Sequence, residues 1–414
     1  QIMKSAKILL LSVAAVIFCN SYALAGIFAT QTISQDFQPE GIVLGKDLTK
    51  ENSVSVGQAR FKTAVTVSET FDDNIFLTPS DKKSDYITEL NPQIFMDLPF
   101  GIDERHNFQV LYDVQLGSYA DHNSQNYQDQ ALTSLLNFKL PFGYFAIRDF
   151  FNKTSSRAGT EFTNLIRRTD NQADALLGIE FNKLANEFNY THFTRHFNSR
   201  DYTPYNYTED VGTSTTYYQL FPKTKALFEY NYGNIDYTSD NSRDGYFNQY
   251  RFGFKGDLTG KTIGIIKVGY QDRKYNDDSE QGWSHFVAEF GLMSQLSDRT
   301  KLTLRFIDTA IESVYDNNNY YNNNSLVIEL NQGLAGHLSL NALFGVDRNL
   351  YPEVGTIVDK KRKDTILTGG LGLEYQVKDW VKAGLNYQYR EDISNIDPQD
   401  YNQNQVMASI TFMI

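Results

Sequence analysis

From Phe61 to Ile414 the chain repeats one unit: roughly ten residues alternating apolar and polar, then a connection that is by turns short and long. Strict period two sends successive side chains to opposite faces, so each unit is a strand with one apolar face. Phe108, Val110, Tyr112, Val114 and Leu116 alternate in this way with Gln109, Asp113 and Gln115. Tyr250, Phe252 and Phe254 alternate with Arg251 and Lys255, and Leu338, Leu340, Ala342, Phe344 and Val346 with Ser339 and Asn341. Leu302, Leu304 and Phe306 repeat the pattern.

The connections constrain the topology further. Short ones recur after every second strand: near Pro99 to Glu104, then at Pro141-Phe142-Gly143, Lys183-Leu184-Ala185, Pro222-Lys223, Thr259-Gly260, Ser297-Asp298-Arg299, Ala335-Gly336-His337 and Lys378-Asp379. Between them lie polar segments rich in Asn, Asp, Tyr and Ser: 72–83, 120–126, 156–168, 198–209, 236–245, 276–282, 315–323, 350–363 and 391–401. Nine long and eight short connections imply eighteen strands. A soluble sandwich or propeller has no reason to alternate connection length, whereas a single-chain bacterial barrel has an even strand number with short inner turns and long outer loops. Closure follows from energetics, because unpaired backbone groups at a sheet edge cost several kcal/mol each in lipid. The expected fold is therefore all-β: a transmembrane antiparallel up-and-down barrel of about eighteen strands over 61–414, preceded by a short periplasmic arm over 26–60. Val406, Ala408, Ile410, Phe412 and Ile414 form one apolar face ending at the last residue, the form of a barrel-assembly signal, although an aromatic more often stands last.

The N-terminus agrees with export. Lys4 and Lys7 precede the apolar run from Ile8 to Phe18 and the small-residue site Ala23-Leu24-Ala25, so 1–25 reads as a cleavable signal peptide, with Met3 as initiator and Gly26 as the first mature residue. Lipidation at Cys19 is the rival reading, opposed by the bulky Phe18 before it. With Cys19 removed no cysteine remains for disulfides or thiolate metal sites. No later stretch is long and apolar enough for a membrane helix, yet the chain carries 27 Tyr and 29 Phe, which a barrel lays in girdles at the two membrane interfaces. A net charge of −12 argues against nucleic acid as a partner, since duplex binding needs a basic face.

One segment carries a family resemblance. Gly41-Ile42-Val43-Leu44-Gly45, Phe71-Asp72-Asp73-Asn74-Ile75-Phe76, Ser84-Asp85-Tyr86-Ile87-Thr88 and Asn91-Pro92 resemble the opening of the outer-membrane family described as Putative beta-barrel porin 2. Here a longer polar stretch, Lys46 to Gln58, separates the Gly-rich element from the first strand. Members are commonly encoded beside exopolysaccharide synthesis and export genes, so the resemblance implies polysaccharide traffic and periplasmic export components as partners. Outer-membrane lipid, lipopolysaccharide and the barrel-assembly machinery are further expected partners. The arm is too short for the plug of an energy-coupled transporter.

No catalytic constellation or cofactor site emerges, and no enzyme is expected. His192 and His196 share a strand face but stand too far apart for one metal, and read as girdle or wall residues. Asp121-His122 at a rim is either an acid-base pair or a solvated loop pair. Asp72, Asp73 and Asn74 either chelate Ca²⁺ or cap the first hairpin as an Asx-type turn. The runs Asn317 to Asn319 and Asn322 to Asn324, with Tyr320 and Tyr321 between them, suit sugar stacking but also look like any exposed loop. Assigning faces by parity puts Lys62, Lys139, Arg148, Arg251, Lys255, Lys267, Arg305, Lys382 and Arg390 in the lumen, with Asp113, Asp174, Glu180, Glu229, Glu289 and Glu329. Acid is concentrated in the outer loops, at Asp201, Glu209, Asp210, Asp240, Asp244, Asp277, Asp278, Glu280, Asp316 and Asp397. A lumen with a modest basic excess favours anions by focusing the field between low-dielectric walls; alternatively the opposed charges only brace the wall through ion pairs. The functional expectations are an anion-preferring conduit or a structural or adhesive barrel without flux, with a soluble enzyme a distant third.

Overall fold

The computed structural model describes residues 53–413 apart from 240, 278–279, 281, 316–317, 356–358 and 397–398. The signal segment, most of the N-terminal arm and Ile414 of the assembly signal lie outside the described residues. The strands are β1 (Val54–Val56), β2 (Ala59–Asp72), β3 (Asp85–Phe100), β4 (His106–Tyr119), β5 (Tyr127–Leu140), β6 (Gly143–Thr154), β7 (Arg168–Phe181), β8 (Leu184–Phe197), β9 (Tyr207–Phe221) and β10 (Thr224–Tyr237). They continue with β11 (Gly245–Thr259), β12 (Thr262–Tyr275), β13 (Trp283–Ser297), β14 (Thr300–Glu312), β15 (Tyr320–Gly333), β16 (Leu338–Val354), β17 (Lys361–Lys378), β18 (Val381–Ser394) and β19 (Tyr401–Met413).

Each strand from β2 onward pairs antiparallel with its neighbour in sequence, and β19 pairs with β2 from Gln405↔Asp72 to Met413↔Ala64. That last pairing closes an eighteen-stranded up-and-down barrel, so the spanning sheet has no edge to expose to lipid. β1 is an extra short strand folded back on β2, with Val54 opposite Phe61. Sheet structure thus begins before Phe61. Arg60 faces inward and donates to Glu104 of the first short turn at 2.7 Å, which anchors the strand start.

Strand ends also run further than the polar composition suggests. β16 continues to Val354 and β17 starts at Lys361, so most of 350–363 is strand. Asn322, Asn323 and Asn324 belong to β15, where Tyr320, Tyr321 and Asn323 are buried, so they form no exposed sugar-binding loop. Polar residues extend these strands because a barrel wall is polar inside and its ladder continues past the lipid.

Outward positions are apolar and exposed: Val65 and Val67, Tyr250, Phe252 and Phe254, Phe344, Leu371 and Leu373. Val406, Ile410 and Phe412 are likewise exposed on β19, with Ala408 on the same face. Inward positions are polar and buried, as with Gln109 and Asp113 on β4 or Gln249 on β11. Two inward glycines meet this wall closely. A Cβ on Gly178 would stand 2.4 Å from the Tyr144 ring and one on Gly233 2.1 Å from the Phe247 ring, so each ring lies over a neighbouring strand that must be bare there.

Candidate functional site: the lumen and its roof

The fifteen charged positions proposed above for the lumen all have inward parity in this register. Many are paired with one another. Arg148 donates through Nε to Asp174 at 2.7 Å, and Arg305 meets Glu329 at 3.4 Å. On four adjacent strands Arg251 and Lys267 interleave with Glu229 and Glu289: Arg251 to Glu289 is 3.0 Å, Lys267 to Glu229 3.1 Å and Lys267 to Glu289 3.6 Å, and Arg251 also binds Glu229. Asn231 donates to Glu229 at 3.0 Å, and the network continues through Gln249 to Gln271. Lys382 meets Glu374 of β17, a residue the parity assignment did not include, at 3.6 Å. Arg390 lies 6.0 Å over the Tyr401 ring, and Asp113 accepts from Asn91 and Gln93. Lys62, Lys139, Lys255 and Glu180 stand within a few residues of the short-turn ends of their strands.

The loop joining β6 to β7, residues 155–167, crosses the mouth at the long-loop end. β15 stands nine strands on from β6 in the ring of eighteen, so the wall around β15 is diametrically opposite. Glu161 reaches that wall, accepting from Ser313 Oγ at 2.6 Å and from the Val314 backbone N–H at 2.9 Å. Thr160 accepts from Asn349 of β16 at 2.9 Å. Arg157 donates to the Ile75 carbonyl of the first loop at 2.8 Å. Ala158, Phe162 and Ile166 are buried with Phe197, against Tyr202, Tyr205 and Val314, while Leu165 packs on the Ile75, Ile87 and Tyr119 cluster. Burial raises the Glu161 carboxyl above the usual Glu range, partly offset by its hydrogen bonds and by Arg362, and burial lowers the Arg157 guanidinium.

Beneath this roof lies a cavity of about 710 Å³ along the β6 to β15 side. It reaches the short-turn rim at Pro222, Lys223 and Asp257 and is capped by Glu161, Phe162, Tyr205 and Val314.

Several ion pairs near the roof went unread in the sequence. Arg168 binds Asp170 at 2.9 Å, Asp170 also binds Arg195 at 2.9 Å, and Arg362 binds Asp364 at 2.8 Å. Arg273 pairs with Glu312. Arg168-Asp170 and Arg362-Asp364 share an i, i+2 spacing, which puts both charges on one strand face. That spacing was the available signal, hidden because both arginines look like loop residues. Glu209 and Asp210 likewise lie in β9 rather than in a loop, and Asp240, Asp278, Asp316 and Asp397 lie outside the described residues.

The remaining candidates resolve into fastenings. His122 Nδ1 is 2.8 Å from Asp85, not paired with Asp121, and the backbone N–H groups of both Asp121 and His122 donate to the same Asp85 carboxylate. Asn74 N–H donates to Asp72 at 2.8 Å, making the Asx turn, while Asp73 accepts from Asn404 of β19 at 2.7 Å. His192 meets Asp210 at 2.7 Å on the outer face, and His196 meets Asn206. Among the described residues no group of three or more His, Cys, Asp or Glu is placed to hold a metal.

An even-stranded closed barrel with an apolar exterior, a charged interior and a loop folded over its mouth has the fold of an outer-membrane channel of the porin type. Residues 169–413 match the family described as Putative beta-barrel porin 2, and the chain belongs to that family. The matched stretch starts after the N-terminal motif that carried the resemblance. Among solved structures, OccK1 (OpdK) of Pseudomonas aeruginosa is 10% identical, over 86% of this chain and 99% of that chain, with a TM-score of 0.50. OccAB3 of Acinetobacter baumannii is 11% identical over 87% and 100%, TM-score 0.47, and OprD of P. aeruginosa 12% identical over 86% and 95%, TM-score 0.44. At such identity the likeness is one of fold. No curated protein matches the chain. Family and fold point to the bacterial outer membrane.

Proposed function

We propose that this protein is a channel, not an enzyme, and that it serves as a conduit associated with exopolysaccharide export. The observation that carries the reading is the cavity of about 710 Å³ running from the short-turn rim to the loop roof, in a barrel wide enough to leave an aqueous passage. The export association comes from the family resemblance, with polysaccharide and periplasmic export components as partners. Anion preference, in this reading, comes from the basic excess of the inward wall, with Lys62, Lys139 and Lys255 standing beside Glu180 at the short-turn entrance and the other charges at mid-wall. There Arg148, Arg251, Lys267 and Arg305 are matched by carboxylates, which supports bracing for those four. A structural or adhesive barrel without flux is the second reading, and the bonding of 155–167 to the opposite wall favours it.

Conductance of the purified protein in a planar bilayer separates the two. The conduit reading expects discrete conductance and a reversal potential of anionic sign in a salt gradient, weakened in Lys62→Glu with Lys255→Glu. Cation selectivity would remove the anion preference alone. A silent wild type that stays silent when 156–166 is replaced by a short Gly-Ser linker would leave the structural barrel.

A further inference from the structure

The lipid-facing side of β15 to β17 changes character at one level of the sheet. In register, Leu326, Val346 and Leu367 lie side by side as the last apolar row before the long-loop rim. The next outward row is Asn324, Arg348 and Thr365, and the one beyond it Asn322, Leu350 and Lys363. Lys361 follows on β17, two residues above Lys363 on the same face. Below the boundary, β16 is apolar at Leu338, Leu340, Ala342 and Phe344, on the face that such barrels present to lipid. Arg348, Lys361 and Lys363 are all exposed, whereas Asp347, Arg362 and Asp364, between and beside them in sequence, are buried on the inner face.

Arg348, Lys363 and Lys361 thus stand at successive levels outward from the membrane boundary, with Asn324 and Thr365 beside Arg348. Glu391 of β18 and Asp308 of β14 flank them, yet among the described residues no ion pair includes any of the three. Charge at an apolar boundary calls for a counter-charge, and amide and hydroxyl groups beside it suit oxygen-rich ligands. Barrels of this class carry their long loops outside, so this row faces the outer leaflet, whose headgroup is a phosphorylated saccharide.

We propose that Arg348, Lys361 and Lys363, with Asn324 and Thr365, form a binding site for the phosphorylated glucosamine headgroup of an outer-leaflet glycolipid. Arg348 sits lowest, where a bidentate grip on phosphate gains most from the low dielectric, and the two lysines act as point charges above it.

Native mass spectrometry of the detergent-folded barrel with added bisphosphorylated lipid A tests the site, using heat-modifiable gel mobility to confirm that each variant is folded. The triple variant Arg348→Ala, Lys361→Ala, Lys363→Ala should retain lipid A about tenfold less well or worse, since three charge-assisted contacts are lost. Arg348→Lys alone, which keeps the charge but loses the bidentate grip, should fold as wild type and bind between wild type and the triple variant. The control Lys153→Ala with Lys274→Ala removes outward cations elsewhere on the long-loop rim and should bind as wild type. Unchanged binding in the triple variant, an equal loss in the control, or equal retention of phosphatidylglycerol by the wild type would each overturn the assignment.

Discussion

Phe344 and Asn341 stand three positions apart on β16 and meet opposite solvents. Phe344 is half exposed on the lipid face, and Asn341 is buried on the inner wall. A cation on the lipid face near mid-membrane costs about 2–4 kcal/mol, while the lumen already accommodates charge. Phe344→Arg should therefore reduce refolding yield into lipid vesicles well below that of Asn341→Arg, read as the fraction running as folded barrel on an unheated gel. Equal yields would mean that the face assignment on β16 is wrong. The same parity orders the wall chemistry. In the Arg251, Lys267, Glu229 and Glu289 network each charge faces two of opposite sign, so deleting one member leaves buried partners short of a counter-charge.

Among the elements, the loop 155–167 is the one whose role its sequence least suggests. It lies outside the spanning strands and is fastened at Thr160 and Glu161 to the far wall. Burial raises the Glu161 carboxyl, so its folded value lies above the unfolded one. For a raised group the contribution to the closed state is fully present below the unfolded value and is lost as pH rises through the folded value. The roof should accordingly be most firmly held in acid and loosen as pH rises above the ordinary Glu range, opposed by the carboxylate's hydrogen bonds and by Arg362. Single-channel recording across that range should give more open time as pH rises. Glu161→Gln, which stays uncharged, should flatten the dependence. A wild type with no pH dependence, or a Gln variant that keeps it, speaks against the latch.

For the molecule as a whole, the alternation of connection length sets orientation. The loop between β4 and β5 is exposed at Ser124, and the turn between β11 and β12 holds Gly260. An epitope inserted at Ser124 should be labelled on intact cells, and one at Gly260 only after permeabilisation; the reverse result would invert the topology. Asn318 is a poorer insertion site despite its polar neighbours. It is buried, and its side chain accepts from the Glu353 backbone at 2.9 Å, so an insertion there would disturb the packing at the mouth.

Strand number, the sidedness of strands such as β4, β11 and β16, and the pattern of turns and loops were legible in the chain because they are local properties. Period two and the residues of a turn act over a few positions, and closure follows once the strands face lipid. The outward face of Val406, Ala408, Ile410 and Phe412 belongs to the same class of information. What each charge meets across the wall depends on register, and register combines neighbouring strands two at a time. The roof depends on still more. Glu161 and Ser313 are 152 residues apart and meet only because a closed ring brings strands nine places distant to opposite sides of one mouth. No short-range pattern encodes that meeting, so the sequence by itself determined a barrel and the sides of its strands, and the tertiary structure decided that its mouth is covered.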